Sequence, residues 1–208
     1  AALLEAQGRV LPCTTVPLTI QARVRGHDPA RPDDVTIVRG QAEVATTPGF
    51  VEELSVDPPH PPACAEALLA IAEADAIVLG PGSWFTSVIT HLVIPEIAEA
   101  IAASDALRVV VLNLNPQVGE TSGFAAHTYL EVLRDYVPQV DVVIADRRHV
   151  DDLELLEAHS RNLGAHVVLA DVAGTGRRGA RQHDPQRLAV AFDSLVTAPR
   201  SNGAPGWR

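Results

Sequence analysis

Four short, mostly apolar runs, at residues 76–79, 108–114, 141–145 and 166–170, are each followed by a loop and then by a segment of helical periodicity. No other feature constrains the fold as strongly. Such runs, rich in Val, Leu and Ile, are too short for helices of their own and suit strands buried on both faces. Strand, crossover helix and strand in repeating order give a parallel sheet. The expectation is an α/β protein with a Rossmann-like, doubly wound, mostly parallel sheet, in which the run at 76–79 is a central strand. Ligands of such sheets bind beyond the carboxyl ends of the strands, at a topological switch point. The loops that follow the strands are therefore where chemistry should lie.

The N-terminal part has a different period. Leu18, Ile20, Ala22 and Val24 alternate with Thr19, Gln21, Arg23 and Arg25, as in a strand with one solvated face. Residues 35–38 and 50–56 are further strand candidates. Together they predict a small antiparallel β unit near the N-terminus, read as structural packing or a homo-oligomer surface. Residues 1–7 read as the end of a helix stopped by Gly8, and upstream sequence is expected because Ala1 opens inside it. Asp57-Pro58-Pro59-His60-Pro61-Pro62 is a stiff connector. The predicted division is a partial helix and β unit at 1–60, the Rossmann-like part at 61–197 and a disordered Pro/Gly/Ser-rich tail at 198–208. Helices are expected at 64–74, 84–92, 124–136, 151–162 and 185–196. Pro95 separates the second from another, with an apolar stripe of Ile94, Ile97, Ala98 and Ile101. Asp184-Pro185 suits the start of the last, as N-cap and first helical residue.

Composition narrows the partners. The chain has 208 residues and a net charge of −10. That balance argues against a general nucleic-acid or anionic-membrane surface. No apolar run approaches the ~20 residues of a membrane span. Cys13 and Cys64 lie in unrelated surroundings without metal-ligand spacing and read as reduced, small apolar residues, which fits a cytoplasmic address.

The loop after the first run, Gly80-Pro81-Gly82-Ser83, combines a sharp turn with the start of a helix. The first amides of a helix have no intrahelical partner and sit at its positive end, so they can hold a phosphate or diphosphate. Ser83, Thr86 and Ser87 could add hydroxyl donors. An ordinary βα turn, with glycines for steric reasons, explains the same residues. The second loop crowds Asn113, Asn115, Gln117, Gly119, Glu120, Thr121 and Ser122 together. Its amide side chains suit a base edge or sugar hydroxyls. Glu120 is read as structural or ligand-orienting ahead of catalytic, and Thr121 or Ser122 equally as a helix cap. Asp146-Arg147-Arg148-His149, after the third run, reads as a solvated charge run. After the fourth come Asp171 and the cluster Arg177, Arg178, Arg181 and His183; a guanidinium there could grip a phosphate, or the segment could be a plain loop. His127, His159 and His166 are scattered, and no metal constellation or Ser/His/Asp order is legible. The expected site is for binding, with no catalytic residue or metal assigned.

Residues 74–83 (Ala-Asp-Ala-Ile-Val-Leu-Gly-Pro-Gly-Ser), Thr86-Ser87, Asn113, Gln117-Val118-Gly119-Glu120-Thr121 and His183-Asp184-Pro185 together resemble the bacterial gluconeogenesis factors. These are relatives of the 2-phospho-L-lactate transferases of deazaflavin biosynthesis. Residues 8–12 and the alternating strand after them match as well, so the resemblance covers nearly the whole chain. It implies a Rossmann-like cleft for a nucleotide or nucleotide sugar. In the gluconeogenesis-factor branch, it implies UDP-N-acetylglucosamine and regulation of cell-wall precursor flux and cell shape, partly through glucosamine-6-phosphate synthase. The transferase branch moves phospholactate from a guanylyl carrier to a deazaflavin acceptor, and only that reading brings Mg²⁺. Three departures stand out: the family's opening Gly-rich phosphate loop is not in this sequence, Gln182 stands where Arg often precedes the His-Asp pair, and His159 stands where Tyr is common.

Overall fold

In the computed structural model of the chain, the described residues are 8–176 and 181–197. The predicted helix at 1–7, the tail at 198–208 and Arg177 and Arg178 lie outside them. The described residues form two compact units, each drawn from separated stretches: residues 8–74, 83–105 and 117–122, and residues 75–82, 106–116, 123–176 and 181–197.

The first unit contains the predicted antiparallel sheet. β1 (Thr19–Arg25), β2 (Val35–Arg39) and β3 (Phe50–Asp57) lie in the order β2-β1-β3. The alternation works as expected: Ile20, Ala22 and Val24 are buried, while Arg23 and Arg25 reach Glu52 on the wet face. A short α1 (Gln41–Ala45), not foreseen, contributes the buried Val44. α2 (Ala65–Ala72) follows the proline connector. The helical pattern at 84–92 is realised as a π-helical stretch, Trp84–Ile89, running into α3 (Thr90–Leu92). Its Trp84, Phe85, Val88 and Ile89 are all buried. Pro95 begins α4 (Pro95–Ala103), which buries Ile97 and Ile101.

The second unit holds the parallel sheet: β4 (Ala76–Leu79), β5 (Leu107–Val111), β6 (Val142–Asp146) and β7 (His166–Ala170), in the order β4-β5-β6-β7. β6 is buried at all five positions, as a continuous apolar run demands. β4 corrects an expectation. It is the edge strand of this sheet, with Ala76 and Val78 exposed, and is neither central nor covered on both faces. Four apolar residues cannot by themselves distinguish edge from centre. Nor does the strand order reverse among the described residues, so no switch point falls between β4 and β7.

Right-handed crossovers in one direction place α5 (Ala126–Leu133) and α6 (Leu153–Asn162) on the same face, where they pack side by side. Asp152 caps α6, accepting from the Leu155 amide at 3.0 Å. α7 (Pro185–Thr197) covers the other face: Ala191, Leu188, Phe192 and Leu195 pack on Val109, Val111, Val142 and Ile144. Asp184 caps it as predicted, accepting from the amides of Gln186 and Arg187. The loop expected after β7 instead contains a small hairpin of β8 (Ala173–Thr175) and β9 (Arg181–His183).

Candidate functional site

The two loops singled out from the sequence are largely held by their own hydrogen bonds, although Glu120 Oε1 is buried without a partner. Gly80 has φ +83, a backbone region open to glycine, and the turn continues through Pro81 to Gly82. The Gly82 amide is not free: it donates to Asn113 Oδ1 at 3.2 Å, while Asn113 Nδ2 donates to the Gly82 carbonyl at 2.8 Å. In the other unit, the Thr86 amide donates to Glu120 Oε2 at 3.2 Å. The amides of Trp84 and Phe85 also face that carboxylate. Glu120 thus stands where a bound anion was expected to meet the helix amides. Burial is the main influence on it and raises its pKa; the amide contacts act in the opposite sense.

The rest of that second loop closes on itself. The Gln117 amide donates to Thr121 Oγ1 at 2.8 Å and the Gly119 amide to Ser122 Oγ at 3.0 Å. Gly119, at φ +105, passes so near α1 that a Cβ would lie 2.3 Å from the Ala45 carbonyl oxygen. Thr86 is buried in the first unit's core, Ser83 is half-buried and Ser87 is exposed.

A cavity of about 220 Å³ lies within the second unit, at the carboxyl ends of β5 and β6. The stretch after β5 supplies Asn113 and Asn115; α5 and the residues before it supply Phe124 and Tyr129; the turn after β6 supplies Arg148 and His149; and β9 supplies Arg181. Phe124 and Tyr129 meet edge to face, with centroids 5.3 Å apart, and Tyr129 donates its hydroxyl to the Asn115 carbonyl at 3.4 Å. Of the residues predicted for the site, Asn113 and Arg181 line this cavity.

Its electrostatic anchor is Asp146, the last residue of the buried β6 and 3% exposed. Oδ2 accepts from the amides of Val172 at 2.9 Å and Ala173 at 2.7 Å. Oδ1 accepts from the Arg148 amide at 3.0 Å and from His149 Nδ1 at 2.8 Å. Burial alone would raise this pKa; the imidazole and the backbone amides outweigh it and hold the carboxyl below its ordinary value. On its far side, His149 Nε2 meets Arg181 Nη1 at 3.0 Å. A guanidinium can only donate, so Nε2 must accept there and the proton of this imidazole sits on Nδ1, facing Asp146. The result is a carboxylate–imidazole–guanidinium chain running from the interior to the cavity.

His183 lies close by. Burial lowers its pKa, against the opposing effects of the Leu112 backbone and Asp146, and its Nε2 has no hydrogen-bond partner. Asp171, exposed, pairs with Arg148 and with Arg187, the latter at 3.1 Å. Among the described residues, no three His, Cys, Asp or Glu side chains gather to hold a metal ion. No single helix there is long and apolar enough to cross a membrane.

Asp146, His149, Phe124 and Tyr129 were not assigned to the site from the sequence. The charge-run reading of Asp146-Arg147-Arg148-His149 fails for Asp146 and His149, because a residue closing a fully buried strand inherits that strand's burial. The completely apolar run immediately before Asp146 was the available signal.

Fold and cavity together define a Rossmann-like α/β protein. Residues 1–185 match the family model described as 2-phospho-L-lactate transferase CofD, and the chain belongs to that family. A "putative gluconeogenesis factor" of Mycobacterium tuberculosis is 43% identical over 198 residues, which cover 93% of this chain and 57% of the relative. The protein of the same name from Mycobacterium leprae is 40% identical over 208 residues, 98% of this chain and 57% of that one. A gluconeogenesis factor of Listeria innocua is 32% identical over 214 residues, 97% of this chain and 63% of its own. The chain thus spans little more than half the length of these curated relatives. Among solved structures, a UPF0052 family protein from Bacillus halodurans superposes with a TM-score of 0.76 at 26% identity, covering 93% of this chain and 64% of that one.

Proposed function

We propose that this chain forms the ligand-binding α/β portion of a regulator of the gluconeogenesis-factor type. Its ligand is a nucleotide sugar of the UDP-N-acetylglucosamine class. It acts in the cytoplasm on carbon flux into cell-wall precursors and on cell shape, through a protein partner of the glucosamine-6-phosphate synthase type. The observation that carries the reading is the Asp146–His149–Arg181 chain, which delivers a positioned guanidinium to a polar cavity at the strand ends. In this reading Arg181 grips a phosphate oxygen, for which a guanidinium fork is well shaped. Asn115 offers its amide to a base or sugar, and the Phe124–Tyr129 pair gives a flat wall. Gly80, Pro81 and Gly82 contribute by seating Asn113, one wall of the cavity. The test is a thermal-shift titration with UDP-N-acetylglucosamine, UDP and GDP, each with and without Mg²⁺. Stabilisation should follow RT ln(1 + [L]/Kd), about 2.7 kcal/mol at a hundredfold excess over Kd. A response to the UDP sugar that needs no metal supports the reading; silence towards every nucleotide overturns it.

The family description favours a second reading, transfer of a phospholactyl group to a deazaflavin acceptor. There His149 Nε2, released when Arg181 turns to a phosphate, would accept a proton from a hydroxyl. The divalent ion of such a transferase finds no matching donor set among the described residues: Asp171 is engaged by two arginines and Glu120 by backbone amides. A nucleotide response that appears only with Mg²⁺ would favour this alternative.

A further inference from the structure

Cys13 and Cys64, distant in sequence, face each other in the first unit. The Cys64 amide donates to the Cys13 carbonyl at 2.8 Å, and beside them Thr14 and Ala63 form an isolated antiparallel bridge. Continuing that register by one residue sets Cys13 directly opposite Cys64. Residues opposed across an antiparallel pair have Cα atoms about 4.5–5.5 Å apart and side chains on one face. Such spacings fall within the usual disulfide range of about 4.4–6.8 Å. Both cysteines are free thiols; Cys13 is half-buried and Cys64 buried. The Cys64 thiol donates to Glu66 Oε2 at 3.0 Å, which fixes its position.

We propose that Cys13 and Cys64 form a reversible intramolecular disulfide, with a small-molecule disulfide of the glutathione type as oxidant. The Cys13 thiolate, the more accessible, attacks one sulfur of the oxidant, forms a mixed disulfide and expels one thiolate. The Cys64 thiolate then attacks Cys13 Sγ, closing the protein disulfide and expelling the second thiolate. The two cysteines give up two protons and two electrons, and the oxidant emerges as two thiols. The bond closes the segment carrying β1, β2 and β3 into one covalent loop, which restricts the unfolded chain. Burial, and then the neighbouring Cys64, raise the pKa of Cys13, so the thiolate is scarce at neutral pH and the reaction quickens as pH rises.

The test is incubation of the protein with oxidised glutathione at mildly alkaline pH, followed by intact mass and a non-reducing peptide map. The expected product has lost two hydrogens, joins the Cys13 peptide to the Cys64 peptide, unfolds at higher temperature and reverts with a thiol reductant. Cys64→Ser should stop at one stable glutathione adduct on Cys13. Separate adducts on both cysteines, links between molecules, or two unreacted thiols in the folded protein when the unfolded chain reacts would each overturn the proposal.

Discussion

The side chain of Asn113 holds both polar groups of Gly82, accepting its amide at 3.2 Å and donating to its carbonyl at 2.8 Å. The turn after β4 is thereby fastened to the stretch after β5. Asn113→Ala leaves two backbone groups without these partners. It should cost about 1–3 kcal/mol in urea unfolding. An unchanged midpoint would mean that water replaces the clamp in full.

Asp146 governs a larger effect. Asp146→Asn replaces an acceptor of four hydrogen bonds by an amide whose NH₂ confronts donors. A loss of about 2–4 kcal/mol is expected from the charge-assisted bonds broken. The pH dependence has a definite sign. A carboxyl held below its ordinary value contributes stability that is fully present above the unfolded-state pKa, about 3.9, and lost as pH falls through the lower folded value. Acid unfolding of Asp146→Asn should therefore be shallower than that of the parent below about pH 4.

Glu120 works in the opposite direction. Its folded pKa is raised from 4.5, chiefly by burial, so its contribution is full below that value and declines as pH rises through the folded one. Glu120→Gln should remove this decline. Urea unfolding of both proteins across mildly acidic pH reads it directly, and identical slopes would refute the assignment.

Gly119→Ala meets both a left-handed φ and the Ala45 carbonyl 2.3 Å from the new Cβ. Backbone cannot step aside as a side-chain tip can. A drop of at least about 2 kcal/mol in stability is expected.

Arg181→Ala tests the cavity itself. It should weaken nucleotide-sugar binding at least about tenfold, the loss of a charge-assisted hydrogen bond. The guanidinium is exposed and the folded state should be little affected. Isothermal titration with UDP-N-acetylglucosamine, with thermal melting as control, separates these effects.

The architecture was largely legible because each strand of the parallel sheet contains an apolar stretch of three or four residues and most helices have a clear stripe or stop. β7 falls at the predicted residues 166–170, and Asp184 caps α7 as the Asp184-Pro185 pair suggested. α1 is five residues long and carries only Val44 inward, too little periodicity to detect. The β8–β9 hairpin pairs three residues on each side, below the reach of any alternation argument. The anion reading of Gly80–Ser83 rested on amides assumed vacant. Which side chain returns to satisfy them is a tertiary fact, and nothing local to Gly82 announces Asn113, nor anything near Thr86 announces Glu120. The Asp146–His149 pairing escaped notice for a related reason: the same four letters describe a wet turn or a buried hinge, depending on what packs above them.

Because Asp146 draws amides from beyond β7 and from the turn after β6 onto one sunken carboxylate, that side of the cavity is cast before any visitor arrives. In the proposed reading, adaptation to a guest would fall to the exposed lining side chains, Arg181 among them, an arm swinging from a fixed post. Selectivity in such a recess would be decided by the reach of Arg181, and the imidazole would serve as its latch.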